Sequence, residues 1–148
     1  MDKVNKWLTL VTNLGLIAGL FFLTLEIKQN TSQMRTGASF SINQGLNNLN
    51  SAIYQDSTFA ELYLRGCKSF SDLNEVETTR FSAYAFDMLN LYIFANQLED
   101  QELTDTHTDV NKVMIDRFQK NPGLTEFLKT IKNDWAASDE LYQRLLEN

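Results

Sequence analysis

The sequence is poor in the residue types that build cross-links, metal sites and chain breaks. Its 148 residues include one cysteine, one histidine and one proline. A single cysteine excludes an intrachain disulfide, which suits a reducing compartment. One cysteine and one histidine leave no clear zinc set, so we predict no metal and no cofactor. One proline and few strand-like alternations of apolar and polar residues predict an all-α chain.

Basic residues are also in deficit, because 13 Lys and Arg face 19 Asp and Glu and the net charge is −6. The first 25 residues contribute only Asp2, Lys3 and Lys6, so the acidic excess belongs to the rest of the chain. An acidic domain lacks the basic face that nucleic acid requires. It also does not adhere broadly to anionic lipid heads. We expect no nucleic-acid partner.

An uncharged run near the amino terminus is the most informative feature that is present. The 19 positions from Trp7 to Leu25 contain no charged residue. As a helix this run is roughly 28 Å long, close to the ~30 Å hydrocarbon thickness of a bilayer. Charged residues flank it on both sides, as at a membrane interface: Lys3, Lys6, Glu26 and Lys28. The run predicts a membrane anchor in residues 1–25, followed by an acidic helical-bundle domain in residues 26–148.

Two other readings of this run compete with the anchor. A cleavable signal peptide needs a shorter apolar stretch and a small-x-small site, and the residues after Leu25 offer none. A soluble core helix has some support from polar residues inside the run: Thr9, Thr12, Asn13 and Thr24. Length and absence of charge favour an uncleaved transmembrane helix.

The predicted span contains a Gly-x-x-x-Gly motif at Gly15 and Gly19. Missing side chains let a second helix backbone approach closely, although glycines are also common in spans without any such role. Residues at helical spacing around Gly15 and Gly19 lie along one stripe of the helix. This stripe, with Asn13 at its margin, is the candidate helix–helix interface: Thr12, Asn13, Gly15, Gly19, Leu23 and Glu26. The partner is another membrane protein or a second copy of the chain, in addition to the lipid bilayer.

The orientation of the span is balanced, because two basic residues lie on each side: Lys3 and Lys6 before it, Lys28 and Arg35 after it. The single cysteine favours a cytoplasmic carboxy-terminal domain. We therefore expect a single-pass protein of the inner (cytoplasmic) membrane with its domain in the cytoplasm.

Apolar spacing and capping residues predict the helices of the domain. Because no proline follows the span, the anchor and a helix over about 26–54 should form one long helix, with a possible bend at Gly37 or Gly45. Later helices should begin at Asp56 or Ser57, at the Asn74–Glu77 capping box, at Thr106 with Asp109, at Asn121-Pro122, and at Ser138-Asp139-Glu140. Gly66 should end the second helix, and the helix over about 75–101 should form the spine of the bundle. Seven apolar residues at helical spacing form its predicted core face: Phe81, Tyr84, Ala85, Met88, Tyr92, Ala95 and Leu98. Four more extend this face round the axis: Phe86, Leu89, Ile93 and Phe94.

Few residues offer chemistry. His107 lies in an acidic loop, and a solvated helix start explains it better than a metal site. Cys67 lacks a neighbouring base in the sequence and reads as a buried thiol. Arg65 and Arg80 should form structural ion pairs with carboxylates near a turn (Asp72, Glu75 or Glu77), with an anion site as the alternative. Aromatic residues beside the 81–98 helix read as core, with a ligand pocket as the alternative.

The residues also carry a resemblance. Leu25-Glu26-Ile27-Lys28-Gln29-Asn30-Thr31, followed by "YLRG", "ETTRF" and "NPGL…W", resembles a widespread group of small bacterial proteins of unknown function. Those proteins have one amino-terminal span that ends in this signature and a helical domain after it. The resemblance implies a bacterial membrane-anchored helical protein and supplies no activity. Its members often carry more basic residues after the span than Lys28 and Arg35.

Three functional hypotheses follow from the sequence. The leading one is a non-enzymatic membrane-anchored module for protein interaction or assembly. The second is a small-molecule or lipid sensor or carrier with a pocket in the bundle. The third is an enzyme that uses Cys67 or the His107 loop. No catalytic residue is predicted under the leading hypothesis.

Overall fold

A computed structural model describes residues 2–103, 110–132 and 139–146 of the chain. Within these residues the fold is all-helical, with six helices and no strand. In chain order they are α1 (Asp2–Gln55), α2 (Ser57–Lys68), α3 (Glu75–Asp100), α4 (Val110–Lys120), α5 (Pro122–Thr130) and α6 (Asp139–Leu146). The predicted fold class is confirmed.

The first helix is one continuous element of 54 residues. It runs from the amino terminus through the apolar stretch and on to the start of α2, so the predicted long helix is confirmed. Neither Gly37 nor Gly45 interrupts it. Its carboxy-terminal half packs against α2 and α3, and it buries Ala38, Ile42 and Leu49 there.

The third helix is the spine of the bundle, as predicted. It contacts α1, α2, α4 and α5. All seven residues of its predicted core face are buried: Phe81, Tyr84, Ala85, Met88, Tyr92, Ala95 and Leu98. The wider apolar face is less covered than expected, because Phe86 is 44% exposed and Phe94 is 39% exposed. Phe86 still packs edge-on against Phe127 of α5, with ring centroids 5.1 Å apart.

The capping signals are borne out at three helix starts. Asp56 accepts hydrogen bonds from the backbone N–H groups of Thr58 and Phe59. Asn74 and Glu77 form the reciprocal capping box. Pro122 occupies the first turn of α5, where its missing N–H leaves no bond unmade. The predicted caps at 106–109 and at Ser138 lie outside the described residues.

Two local predictions are corrected by the packing. Gly66 does not end α2, which continues to Lys68 and closes at Ser69. It is a buried contact residue, because a Cβ there would meet the ring of Phe81. Arg65 pairs with Glu77 as expected, but Arg80 pairs with Asp56 at 3.0 Å, a residue not among its predicted partners.

Candidate functional site

The amino-terminal half of α1 has no cover from the rest of the chain. Residues 2–30 are exposed throughout, including large side chains such as Leu14 and Phe22, at 69% and 68% exposure. The most apolar 18-residue window of α1 has mean hydropathy 2.0, and none of it is buried. By length and composition this helix is able to cross a membrane. A core helix of a soluble domain buries such side chains, and this one exposes them.

The threonines inside the uncharged run are satisfied within the helix. The hydroxyls of Thr9, Thr12 and Thr24 donate to the carbonyl four residues earlier, at 2.9, 2.9 and 2.8 Å. A hydroxyl bonded in this way carries no unmet donor into an apolar solvent. These residues therefore weigh less against a span than their polarity suggests.

The six glycines fall into two groups. A Cβ at Gly45 would lie 2.8 Å from Leu91 Cδ1, one at Gly66 would meet Phe81, and one at Gly123 would meet the backbone of Gly66. These three glycines lie in close contacts within the chain, and the obstacle at Gly45 is the end of a leucine side chain, whereas at Gly66 it is a ring and at Gly123 a backbone. A Cβ at the other three, Gly15, Gly19 and Gly37, would meet nothing within 4 Å. Intrachain packing gives no reason for them.

The three contact-free glycines lie on one side of α1. Gly19 and Gly37 are separated by about five full helical turns, so they point in the same direction, and Gly15 lies about 40° away. The bundle covers a different side, because Ala38 is offset from Gly37 by about 100°. Five of the six predicted interface residues share this stripe, whereas Asn13 lies nearly opposite Gly15. We call the side of α1 that carries Gly15, Gly19 and Gly37 the glycine stripe.

The glycine stripe continues past the apolar run into the exit part of the helix. Glu26, Gln33 and Phe40 fall on it at helical spacing, and Phe40 is 67% exposed. Glu26 is its single charged residue between Gly15 and Phe40. The stripe thus carries glycines and Leu23 before Glu26 and is uncharged between Glu26 and Phe40.

A separate open cleft lies between α1 and α3, beside the spine helix. Its volume is about 310 Å³, and it is lined by Gly45, Asn48, Leu49, Ala52, Tyr84, Asp87 and Leu91. The volume is at the small end of the range for ligand sites, roughly 300–1,000 Å³. Small residues at Gly45 and Ala52 leave this space open.

A polar cluster lies inside the bundle, where four helices meet. It consists of Asn50 of α1, Tyr63 and Cys67 of α2, Tyr84 of α3 and Arg117 of α4, and we call it the Arg117 cluster. Arg117 Nη2 donates to Asn50 Oδ1 at 3.1 Å. Two atoms of the cluster are buried and have no hydrogen-bond partner among the described residues: Tyr84 Oη and Arg117 Nη1.

Burial raises the pKa values of three members of the Arg117 cluster, Tyr63, Cys67 and Tyr84. It raises the pKa of the Cys67 thiol, against smaller lowering effects of the Tyr63 hydroxyl and Arg117. Burial also raises the pKa of Tyr63, and it raises that of Tyr84 to about 12 although the Arg117 guanidinium opposes the shift. A protonated buried thiol is a poor nucleophile, which disfavours Cys67 chemistry.

The other site predicted as an outside alternative falls largely beyond the described residues. His107 and its neighbours in 104–109 lie outside the described residues. In residues 2–103, 110–132 and 139–146, no group of three or more His, Cys, Asp or Glu side chains is arranged to hold a metal ion.

The sequence reading missed the Arg117 cluster. A signal was present in the sequence, because Arg117 lies within the apolar face of α4. Around the helix axis it points in nearly the same direction as Val110, Val113 and Met114. An arginine on an apolar face points to a buried charge, but the partners come from three other helices and only the fold brings them together.

No protein-family model matches the chain, and no curated protein or solved structure matches it either.

Proposed function

We propose that the protein is a single-span membrane protein whose acidic helical domain acts as a protein-interaction or assembly module. The observation that carries this proposal is the uncovered amino-terminal half of α1, apolar and exposed over the length of a bilayer core. The continuous helix joins the span rigidly to the domain, because no turn separates residue 25 from residue 34. A change in the position of the span within the membrane therefore moves the bundle with it.

The glycine stripe supports pairing of α1 with a second membrane helix. Helices in lipid associate through close backbone contact, since lipid tails are as apolar as leucine and leave no hydrophobic driving force. Gly15 and Gly19 provide a flat strip for such contact, and no neighbour in the chain uses it. Gly37 extends the same strip beyond the span.

The pairing is tested by replacing Gly15 and Gly19 with leucine in the full-length protein and measuring cross-linking in membranes and native mass in detergent. We expect the complexes formed by the wild type to be lost in the Gly15→Leu/Gly19→Leu variant. Thr24→Leu is the matched control, because position 24 lies about two and a half turns from Gly15 and thus on the opposite face. A wild type that is strictly monomeric and recovers no partner contradicts the proposal.

Glu26 distinguishes the two kinds of partner. In a parallel pair of identical helices, the two Glu26 carboxylates face each other close to the membrane surface, and like charges repel. A different protein with a basic residue at that level is instead attracted. Glu26→Gln should strengthen complexes of identical chains and weaken those with such a partner, as measured by the same cross-linking.

For location, we propose the inner membrane, with the domain in the cytoplasm. The supporting feature is the single Cys67, which is a free buried thiol, because the basic residues are balanced across the span. Fusions of the carboxyl terminus to green fluorescent protein and to alkaline phosphatase report the side directly. Fluorescence without phosphatase activity is expected, and the reverse pattern places the domain outside the cytoplasm.

The α1–α3 cleft favours a second candidate function, the binding of a small molecule. The cleft lies beside the spine helix and joins apolar walls at Leu49 and Leu91 to polar groups at Asn48 and Asp87. Mass spectrometry of the purified protein under native conditions should then detect a retained molecule, and Ala52→Phe, which fills the cleft, should release it. If the measured masses of wild type and variant differ only by the mass of the substitution, no molecule is retained by the wild type, and this function is excluded.

A further inference from the structure

The guanidinium of Arg117 has a buried nitrogen and forms no ion pair with a carboxylate among the described residues. Arg117 is half-buried, and its side chain donates a hydrogen bond to the amide oxygen of Asn50, which is neutral. Its Nη1 atom is buried without a partner among the described residues. A buried donor without an acceptor destabilises the folded state, and more so when it is charged. The fold therefore retains a costly group that its own described residues do not satisfy.

The Tyr84 hydroxyl is in the same position. Tyr84 is 5% exposed, its ring is held by Phe59 and Tyr63 at centroid distances of 5.3 Å each, and its Oη has no hydrogen-bond partner among the described residues. Burial raises the pKa of this hydroxyl, whereas the charge of Arg117 and, to a smaller extent, a hydrogen-bonding contact with it lower that pKa, so the two groups lie close together. Even so, neither Tyr84 Oη nor Arg117 Nη1 has a well-formed hydrogen bond among the described residues. Two fixed, unsatisfied polar atoms thus lie near one another inside the bundle.

We propose that Arg117 Nη1 and the Tyr84 hydroxyl together bind an oxyanion group, carboxylate or phosphate, of a small water-soluble molecule. An oxyanion accepts from both groups at once and supplies the missing negative charge. The surrounding groups do not compete for it, because Tyr63, Cys67 and Asn50 are neutral. The site differs from the α1–α3 cleft, with which it shares Tyr84 alone.

The distance of the Arg117 cluster from the membrane distinguishes a soluble ligand from a lipid headgroup. Asn50 lies roughly 37 Å along α1 from Leu25, at ~1.5 Å per residue. If α1 is anchored as proposed above, the headgroups of the same membrane end far below the cluster. This step alone rests on the proposed function, whereas binding at Arg117 does not need the membrane or a partner.

The test uses the full-length protein in an uncharged detergent. Thermal unfolding is followed by circular dichroism with sodium phosphate, sodium acetate or sodium chloride at equal ionic strength, and binding of phosphate and acetate is titrated by calorimetry. We expect saturable stabilisation by phosphate, acetate or both beyond the effect of chloride. Arg117→Gln should weaken the affinity about tenfold or more, and Tyr84→Phe about threefold to tenfold. Arg144→Gln, an exposed arginine on α6, should leave it unchanged.

The outcomes separate the alternatives. If Arg117→Gln does not fold, Tyr84→Phe carries the test, because its hydroxyl has no bond within the described residues to lose. Equal unfolding in all three salts, or stabilisation that persists in both variants, overturns the proposal and leaves buried water as the partner. Stabilisation by added phosphatidylglycerol but by neither soluble anion overturns the assignment to a water-soluble ligand. Loss of self-association without loss of anion binding affects the proposed function only.

Discussion

Gly66 and Gly123 let α2 and α5 cross in close contact, and alanine at the two positions should lower the stability by different amounts. A Cβ at Gly123 would run into the backbone carbonyl of Gly66, and a Cβ at Gly66 would run into the ring of Phe81. Phe81 is fully buried and packs against Phe70 at a centroid distance of 5.9 Å. Neither obstacle moves aside freely, so both alanine variants should destabilise the bundle.

The size of each effect follows from what blocks the new methyl group. Overpacking a core typically costs about 1–3 kcal/mol. Gly123→Ala should fall at the upper end, about 3 kcal/mol, because two helix backbones must separate. Gly66→Ala should cost about 2 kcal/mol, since a side chain obstructs it. In a Phe81→Leu background the cost of Gly66→Ala should fall by about 1 kcal/mol, whereas that of Gly123→Ala should change by less than about 0.5 kcal/mol.

Urea unfolding of the full-length protein in mild detergent, followed by near-ultraviolet circular dichroism, measures these costs. Gly37→Ala is the matched control: nothing lies within 4 Å of its Cβ position, so the change should stabilise the helix by up to about 1 kcal/mol. Gly66→Ala or Gly123→Ala variants within about 0.5 kcal/mol of wild type, as at surface positions, refute the packing argument. Equal effects of Phe81→Leu on both variants refute the assignment of the obstacles.

Three further predictions concern helix starts, acid and the thiol. Asn74→Ala removes one half of the capping box and should cost about 1 kcal/mol in urea unfolding; no change means that Glu77 alone caps α3. The pKa of Glu77 is lowered by its hydrogen bond with Arg65, and that of Asp56 by its hydrogen bond with the Thr58 hydroxyl. The contributions of these two carboxylates to stability are therefore complete above their ordinary pKa values of 4.5 and 3.8. They are lost as the pH falls through the lower pKa values of the folded state. Below about pH 4.5, wild type should lose more stability than Glu77→Gln, and parallel curves contradict this linkage. Cys67 is 6% exposed, so maleimide should label it on the order of a hundredfold more slowly in the native protein than in urea, and rapid native labelling contradicts its burial.

Features that depend on neighbours in the chain were predictable from the sequence. The capping box at Asn74 and Glu77, the start of α5 at Pro122 and the uninterrupted helix through residue 25 all follow from rules that act over a few residues. The buried face of α3 followed from its spacing alone, because seven apolar positions recur with the helical period. These signals were sufficient for an all-helical bundle on a long amino-terminal helix.

Features that depend on distant neighbours were not predictable. Gly66 was expected to end a helix, since glycine often does, but the approach of Phe81 and of Gly123 explains it. Arg80 was expected to pair with Asp72, Glu75 or Glu77, but it pairs with Asp56 of the preceding helix cap. The Arg117 cluster needs residues from four helices, and a sequence pattern does not bring them together. In each case the determining contact joins residues more than ten positions apart.

The glycines connect the fold to the proposed function. In the bundle, Gly45, Gly66 and Gly123 let elements of the same chain approach closely. On α1, Gly15 and Gly19 provide the same geometry with no intrachain neighbour in place. The same physical property serves packing in one part of the molecule and, in our proposal, contact with a second helix in the other.

The central claim is that residues 1–25 reside in lipid and keep the protein attached there. The most direct measurement is the fate of the full-length protein when isolated membranes are washed with alkaline carbonate. Our account predicts that it stays with the membranes and is released only by detergent. Release into the wash as a soluble monomer would contradict the account. A helix that exposes side chains such as Phe22 and Leu14 to water does not stay monomeric and soluble, so a soluble monomer would have to cover them within its own fold.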